Sequence, residues 1–305
     1  MNFWYNGVDI YDDVSINYCV HEMYAEKQAD TLVIRFRDPK SLWSKWRPQA
    51  GDTIRLKSGA SDTGQMFVYL IRPENGAFTL RAMSMPRTAK VRQFRSWEGV
   101  RFFQLGNLVA ANHGLQFKTY GCEDQVYPYI VQENESDTAF FSRLCMLEGC
   151  QMLIFDGSLL VYNEWYMEQR EISGSLTVGE YGTFEYSDNQ NRLYGSCEVA
   201  SGSYYGQYIA DPANSRVLRP DRTIQVSSNA EAARFARGLL RNANKYCRTG
   251  KITKELITDY AAASLVRLTT AKAGTWDGPA FIYQVRNDYA RNRSTIFFRT
   301  ILEGY

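Results

Sequence analysis

Two histidines, six cysteines and one tight cluster of acids are the residues of this 305-residue chain whose types suit chemistry. An imidazole titrating near neutral pH is the commonest general base, so His21 and His113 are the first candidates for activating a nucleophile. No Gly-x-Ser-x-Gly elbow precedes either one, and a partner serine or cysteine would be a neighbour in space rather than in sequence. His113 stands directly before Gly114, where a helix is expected to end. An imidazole there faces the terminal carbonyls favourably, so the expected role of His113 is structural.

The cysteines, at positions 19, 122, 145, 150, 197 and 247, form no Cys-x-x-Cys pair. Cys145 and Cys150 lie five residues apart, about 140° around a helix, with Gly149 breaking the helix between them. A zinc site would need further N or S ligands at suitable spacing, and none is offered. The six thiols are therefore expected to be reduced and packed as small hydrophobes, with no metal and no cofactor.

Glu133, Glu135 and Asp137 form the densest acid cluster, and a pair of carboxylates is what glycoside cleavage requires. The same residues suit the start of a helix. Asn134 is expected to cap it by accepting from the Asp137 amide, with Glu135 and Asp137 in the negative-favouring first turn. No Walker loop or Gly-x-Gly-x-x-Gly run supports phosphate or dinucleotide binding.

Around these residues the elements fall into three blocks. Residues 1–95 alternate apolar and polar in TLVIRFRD, GDTIRLKSG, MFVYLIRP and AFTLRAMS, the last two flanking a Glu74-Asn75-Gly76 turn; short strands of this kind build a barrel or sandwich. Residues 96–165 are α/β. A helix is expected from near Ser96, with Phe102, Leu105, Val109 and Asn112 on one face and Gly114 as its stop. A second carries Phe140, Phe141, Leu144 and Leu147 up to Gly149, and Asp156-Gly157 turns one strand back on the next. Residues 166–305 return to strands in LYGSCEVASG, SYYGQYIAD, LITDYAAASLVRLTTA, PAFIYQVRNDYA and STIFFRTILE, with a turn at Trp276-Asp277-Gly278. One helix interrupts them near 228–246, capped by Ser228 or Asn229, with Phe235, Leu239 and Tyr246 sharing a face. The fold class is α+β, mainly β.

The 45% hydrophobic and 22% charged fractions are those of a chain that folds, and a formal charge of +2 is too balanced for a general nucleic-acid binder. The N-terminal MNFWYNGVDIYDD has no basic and apolar signal-peptide pattern, and no run approaches 18 apolar residues, so a soluble protein made in the cytoplasm is expected. Tyrosine and tryptophan, 21 and 6 in number, suit barrel cores and subunit interfaces as well as sugar-stacking platforms.

Several of these motifs occur together in one family. Trp97-Glu98-Gly99, His113-Gly114-Leu115, Gln132-Glu133-Asn134-Glu135-Ser136-Asp137 and Glu148-Gly149, in this order, resemble the late-control-D type of phage tail hub protein, which is similar to the N-terminal half of type VI secretion spike proteins. The match is densest over 95–165 and looser through NAEAARFARGLL and DGPAFIYQVRND. In that last hairpin the family often carries a histidine after the valine, where this chain has Asn287 a little beyond Val285.

The resemblance implies two tail-tube-like β-barrels per chain, 1–95 and 166–305, joined by the α/β insert 96–165. Three chains would form a pseudo-six-fold ring, a baseplate hub that adapts a hexameric tail tube to a trimeric spike. The implied partners are two further copies, the tube protein, the central spike, the tape measure and other baseplate proteins, with no sequence-specific nucleic acid and no membrane insertion. The implied location is the virion or phage-like tail of a particle made in a bacterial host's cytoplasm. Trp97, Gly99, His113, Gly114, Asn134, Asp137, Phe141, Gly149, Asp156 and Gly157 are then structural residues, and no turnover is expected. Two other readings remain: a tail-associated peptidoglycan hydrolase, which needs a catalytic constellation, and a spike protein, which should continue into a Gly-rich β-helical tail.

Overall fold

The computed structural model describes residues 1–178, 182–220, 224–269 and 276–305. Most strands join one 14-stranded sheet. In spatial order its main path runs Thr183–Asp188, Arg248–Glu255, Arg293–Thr300, Gly278–Asp288, Ile16–Tyr24, Thr31–Arg37, Ala77–Met83, Met66–Glu74, Thr53–Ser58, Asn2–Tyr5 and Val8–Asp9. Strands from the two ends of the sequence thus meet edge to edge, Gly278–Asp288 pairing antiparallel with Ile16–Tyr24.

Alternation decides which face of each strand is buried. In Thr31–Arg37, Leu32, Ile34 and Phe36 are fully buried while Arg35 and Arg37 are exposed. These side chains meet Phe3, Ile54, Leu56, Phe78 and Leu80 in an N-terminal core. The short helix α1, Leu42–Trp46, closes that core with Trp43, stacked on Phe78 at 5.4 Å between ring centroids. Ile252, Val266, Ile282, Val285, Ile296 and Phe298 form a second core beneath the C-terminal strands.

A third core lies outside the large sheet. It packs α2 (Phe102–Asn112) and α3 (Asp137–Leu147) against the ribbon of Arg92–Arg101 with Val126–Ser136, and against the sheet of Gln116–Tyr120, Ser158–Asn163 and Cys150–Phe155. A one-turn helix, α4, spans Glu164–Glu168. The helix expected near 228–246 is α5, Asn229–Asn244, and its Ala232, Phe235, Ala236 and Leu240 belong to this middle core. Ser228 caps it, its hydroxyl accepting from the Glu231 amide at 3.1 Å while the Glu231 carboxylate accepts from Ser227 N at 2.6 Å.

Several local expectations need correction. Ser96–Gly99 lie within the strand Arg92–Arg101, and the helix starts at Phe102, because Trp97 is used to face α3 from a strand. Asn134 does not cap α3: it sits at φ +51° in a bulge between Glu133 and Glu135, and Ser136 is the cap, accepting from Ala139 N at 3.2 Å. Asn112 is exposed and Tyr246 lies beyond the end of α5. Of 256–271 only Leu265–Leu268 is a strand, and residues 270 and 271 lie outside the described ones.

Candidate functional site

Asp137 opens α3 and gathers the motif residues around it. Its carboxylate accepts from Gln132 Nε2 at 2.9 Å and Asn112 Nδ2 at 3.1 Å, and pairs with Arg95 at 3.3 Å and His113 Nε2 at 3.2 Å. Burial opposes its charge, but those hydrogen bonds and the Arg95 and His113 charges outweigh it and hold the carboxyl below its usual range. His113 therefore faces the start of α3 rather than the carbonyl end of its own helix. Its other ring nitrogen lies 3.1 Å from the Thr88 hydroxyl.

Thr88, His113 and Asp137 have the connectivity of a hydroxyl–imidazole–carboxylate triad. Asp137, however, is also bound by Arg95, Asn112 and Gln132, which draws four elements together: the two ribbon strands and the facing ends of α2 and α3. The arrangement acts as a brace. On the same side Trp97 stacks on Phe140 at 5.3 Å and Phe141 on Phe102 at 5.2 Å. Gly99, at φ +59°, changes which face of the ribbon is buried, from Trp97 and Ile130 to Val100 and Tyr127.

The other motif residues lie elsewhere. Gly149, at φ +68°, ends α3, and its neighbour Glu148 accepts from Tyr127 Oη at 2.7 Å and pairs with Arg234 of α5 at 2.7 Å. Gly114 ends α2 at φ +68°. Asp156-Gly157 turns the hairpin and docks on the N-terminal block, Asp156 accepting from Gln65 N at 3.1 Å and lying 3.8 Å from Arg55. Asn134 joins none of these contacts.

Among the described residues, the largest cluster of buried charges joins all three blocks. Glu26 comes from the N-terminal block, Glu164 and Glu168 from α4, Arg241 and Lys245 from α5 and its end, and Arg299 from the last strand. Lys245 pairs with Glu26 and, at 3.0 Å, with Glu164; Arg299 reaches Glu164 at 3.2 Å and Glu168 at 2.6 Å; Arg241 reaches Glu168 at 2.7 Å and Glu164 at 3.4 Å. Burial opposes ionisation of Glu164, but Lys245, Arg299 and Arg241 hold its carboxyl at about 2. Burial pulls the Lys245 ammonium below its ordinary range against the acids beside it. Sequence reasoning missed this cluster. Its trace is two i, i+4 pairs, Glu164/Glu168 and Arg241/Lys245, each placing like charges on one helical face, which in isolation is unfavourable.

His21 lies at the seam of the two sheet halves, opposite Asn287, and is fully buried. Among the described residues neither of its ring nitrogens has a hydrogen-bond partner, and burial pushes its pKa down to about 4. Outside, large apolar side chains project into solvent: Phe94, Val126 and Tyr129 on the ribbon, Trp165 and Tyr166 on α4, and Tyr204, Tyr205 and Ile209 on one strand. Apolar exposure of this kind, on ribbons with unpaired edges, suits assembly with other chains.

No family model matches the sequence, and no curated protein matches it. Solved structures do. The 43 kDa tail protein of prophage MuSo2 from Shewanella oneidensis superposes with a TM-score of 0.74 at 11% identity, over 98% of this chain and 97% of its own. The tail protein from Neisseria meningitidis MC58 gives 0.76 at 11% identity, over 98% and 95%. The E. coli c3393 protein, a component of the type VI secretion system with structural similarity to T4 tail proteins gp27 and gp5, gives 0.64 at 13% identity, over 100% and 78%. The chain has the mainly β, α+β fold of these phage tail and type VI secretion proteins, from end to end.

Proposed function

We propose that the chain is a structural subunit of a phage or phage-like tail, a baseplate hub without enzymatic activity. The observation that carries this reading is the superposition over nearly the whole of both this chain and two tail proteins, one of them from a prophage. In this reading the N-terminal strands, residues 1–95, and the C-terminal strands, 166–305, act as two tube-like units per chain, with 96–165 between them. Three chains then present six related units to a six-fold tube on one face and a three-fold surface to a spike on the other. A six-fold tube docks without frustration only on six near-equivalent edges. Unpaired strand edges and exposed aromatics, a liability in a monomer, become ring contacts.

Imaging of the assembled tail end, or mass measurement of the chain bound to its spike partner, tests the proposal. Three copies per particle, lying between tube and spike, are expected, and purified particles carrying His113→Ala should assemble and show no loss of a lytic zone. Six copies per ring, or a location away from the tube end, would overturn it. A monomer in dilute solution is compatible, because a ring held by many neighbour contacts forms on its template by mass action.

A further inference from the structure

The strand Cys150–Phe155 begins with a thiol that faces another. Cys150 Sγ lies 3.6 Å from the Sγ of Cys122, 28 residues away in the chain. Cys122 is partly exposed and Cys150 buried. Cys122 sits in the irregular stretch between the strands Gln116–Tyr120 and Val126–Ser136, so no ladder hydrogen bond fixes it. The remaining sulfur contacts are weak, to the carbonyls of Tyr120 at 3.5 Å, Val161 at 3.6 Å and Glu148 at 3.6 Å. A disulfide needs about 2.05 Å between sulfurs, an approach of roughly 1.5 Å, which rotation of the two side chains must supply because the neighbouring Gly121 packs closely on the Tyr166 ring.

We propose that Cys122 and Cys150 form a disulfide when the folded protein meets a small-molecule disulfide such as oxidised glutathione. The Cys122 thiolate attacks one sulfur of the reagent, forming a mixed disulfide and releasing one glutathione thiolate. Cys150 then gives up its proton and attacks the Cys122 sulfur, releasing the second glutathione. Two protein thiols are oxidised, one small disulfide is reduced to two thiols, and two electrons pass between them. The order of attack follows from the site. Cys122 is the accessible thiol, and its hydrogen bond with Cys150 holds it below the usual thiol range; the same contact and burial push Cys150 well above.

The bond would close a loop containing the outer ribbon strand and α3, the elements that present Tyr129 and hold Asp137. It would be absent in a reducing cytoplasm and form once the protein is outside a cell. That timing rests on the tail-protein reading; the bond itself does not.

The test uses the full chain, purified reduced, exposed to oxidised glutathione, alkylated and mapped by mass spectrometry. Two of the six thiols should become resistant to alkylation, with one linked peptide pair containing Cys122 and Cys150. Cys150→Ser should trap Cys122 as a stable glutathione adduct, whereas Cys122→Ser should leave Cys150 free. Oxidised wild-type protein should melt higher by roughly 5 °C, reversibly with dithiothreitol. Six free thiols after oxidation of folded protein, or a link that uses Cys145 instead, would overturn the proposal. Neither result depends on whether the chain assembles into a tail.

Discussion

Replacing Glu164 by glutamine keeps the side chain's shape and removes one negative charge from the junction of the three blocks. Glu26, Glu164 and Glu168 face Arg241, Lys245 and Arg299, three acids against three bases, all at 7% exposure or less. The variant leaves three bases against two acids, an uncompensated cation where water does not reach. Two routes give the cost. The Glu164 carboxyl is held at about 2 against its usual 4.5, and 2.5 units at 1.36 kcal/mol each come to about 3 kcal/mol. Breaking a buried ion pair by removing one partner costs roughly 3–5 kcal/mol.

Urea denaturation should therefore show the midpoint of Glu164→Gln falling by the equivalent of about 3 kcal/mol with an unchanged slope. Lys245→Met alone should cost a similar amount. The double variant restores the balance, so it should lose at least 1 kcal/mol less than the sum of the two. Because the folded pKa is depressed, the Glu164 contribution is present above pH 4.5 and lost as pH falls towards 2. A loss under 1 kcal/mol for Glu164→Gln, or strict additivity in the cycle, would refute the account of the junction as an interdependent charge cluster.

Ser136→Ala should lose about 1 kcal/mol through the α3 cap, whereas Asn134→Gly, at a position with φ +51°, should lose almost nothing; thermal melts of the two variants decide between the caps. Gly106→Ala would ordinarily strengthen a helix by about 1 kcal/mol. Here its Cβ would stand 2.3 Å from the Phe117 ring and 2.9 Å from Phe141, so a net loss of roughly 1–3 kcal/mol is expected, and a rise in melting temperature would show that the α2 face is loosely packed. His21 is buried uncharged with its pKa at about 4 against 6.5, so the unfolded chain binds its proton first. The His21 contribution should fall by about 3 kcal/mol as pH drops from 6.5 to 4, while Asp30, whose carboxyl burial pushes up to about 7, acts in the opposite sense over the same range; the His21 part is read as the difference in pH dependence between wild type and His21→Leu.

What was legible in the sequence is what alternation and turn chemistry dictate locally. Leu32, Ile34 and Phe36 alternate with arginines because one face is buried, and Asp156-Gly157 turns because φ is positive at both residues. Of the two caps the sequence offered for α5, Ser228 and Asn229, the structure uses Ser228. Asn134 failed for a physical reason: asparagine is as well suited to a left-handed bulge as to a cap, and the strand Val126–Ser136 runs five residues beyond its last apolar position, Val131. Asp137 was read as first-turn charge, which it is. Its tie to Gln132 is local, but Arg95 is brought in by pairing of the two ribbon strands and His113 by packing of α2 against α3, and local patterning carries no record of either.

The charge cluster was hidden by the same limit, and its placement has a consequence for how the blocks are held. An apolar junction of equal size is stable over a range of dockings, since dispersion and burial depend weakly on direction. Six buried charges are not: sliding α5 by one helical turn, about 5.4 Å, would carry Lys245 away from both Glu26 and Glu164 and Arg241 away from Glu168, leaving Glu164 with Arg299 alone. The N-terminal block contributes only Glu26 to the cluster, backed by Tyr246 Oη on its other oxygen and by Tyr162 donating to Ala25 O at 2.8 Å. Three adjacent contacts thus fix how residues 25–26 meet the strand Ser158–Asn163 and the end of α5. In the proposed ring, where two strand blocks would present matched edges to neighbours, an orientation restricted by buried charge is more useful than a stronger but slippery contact.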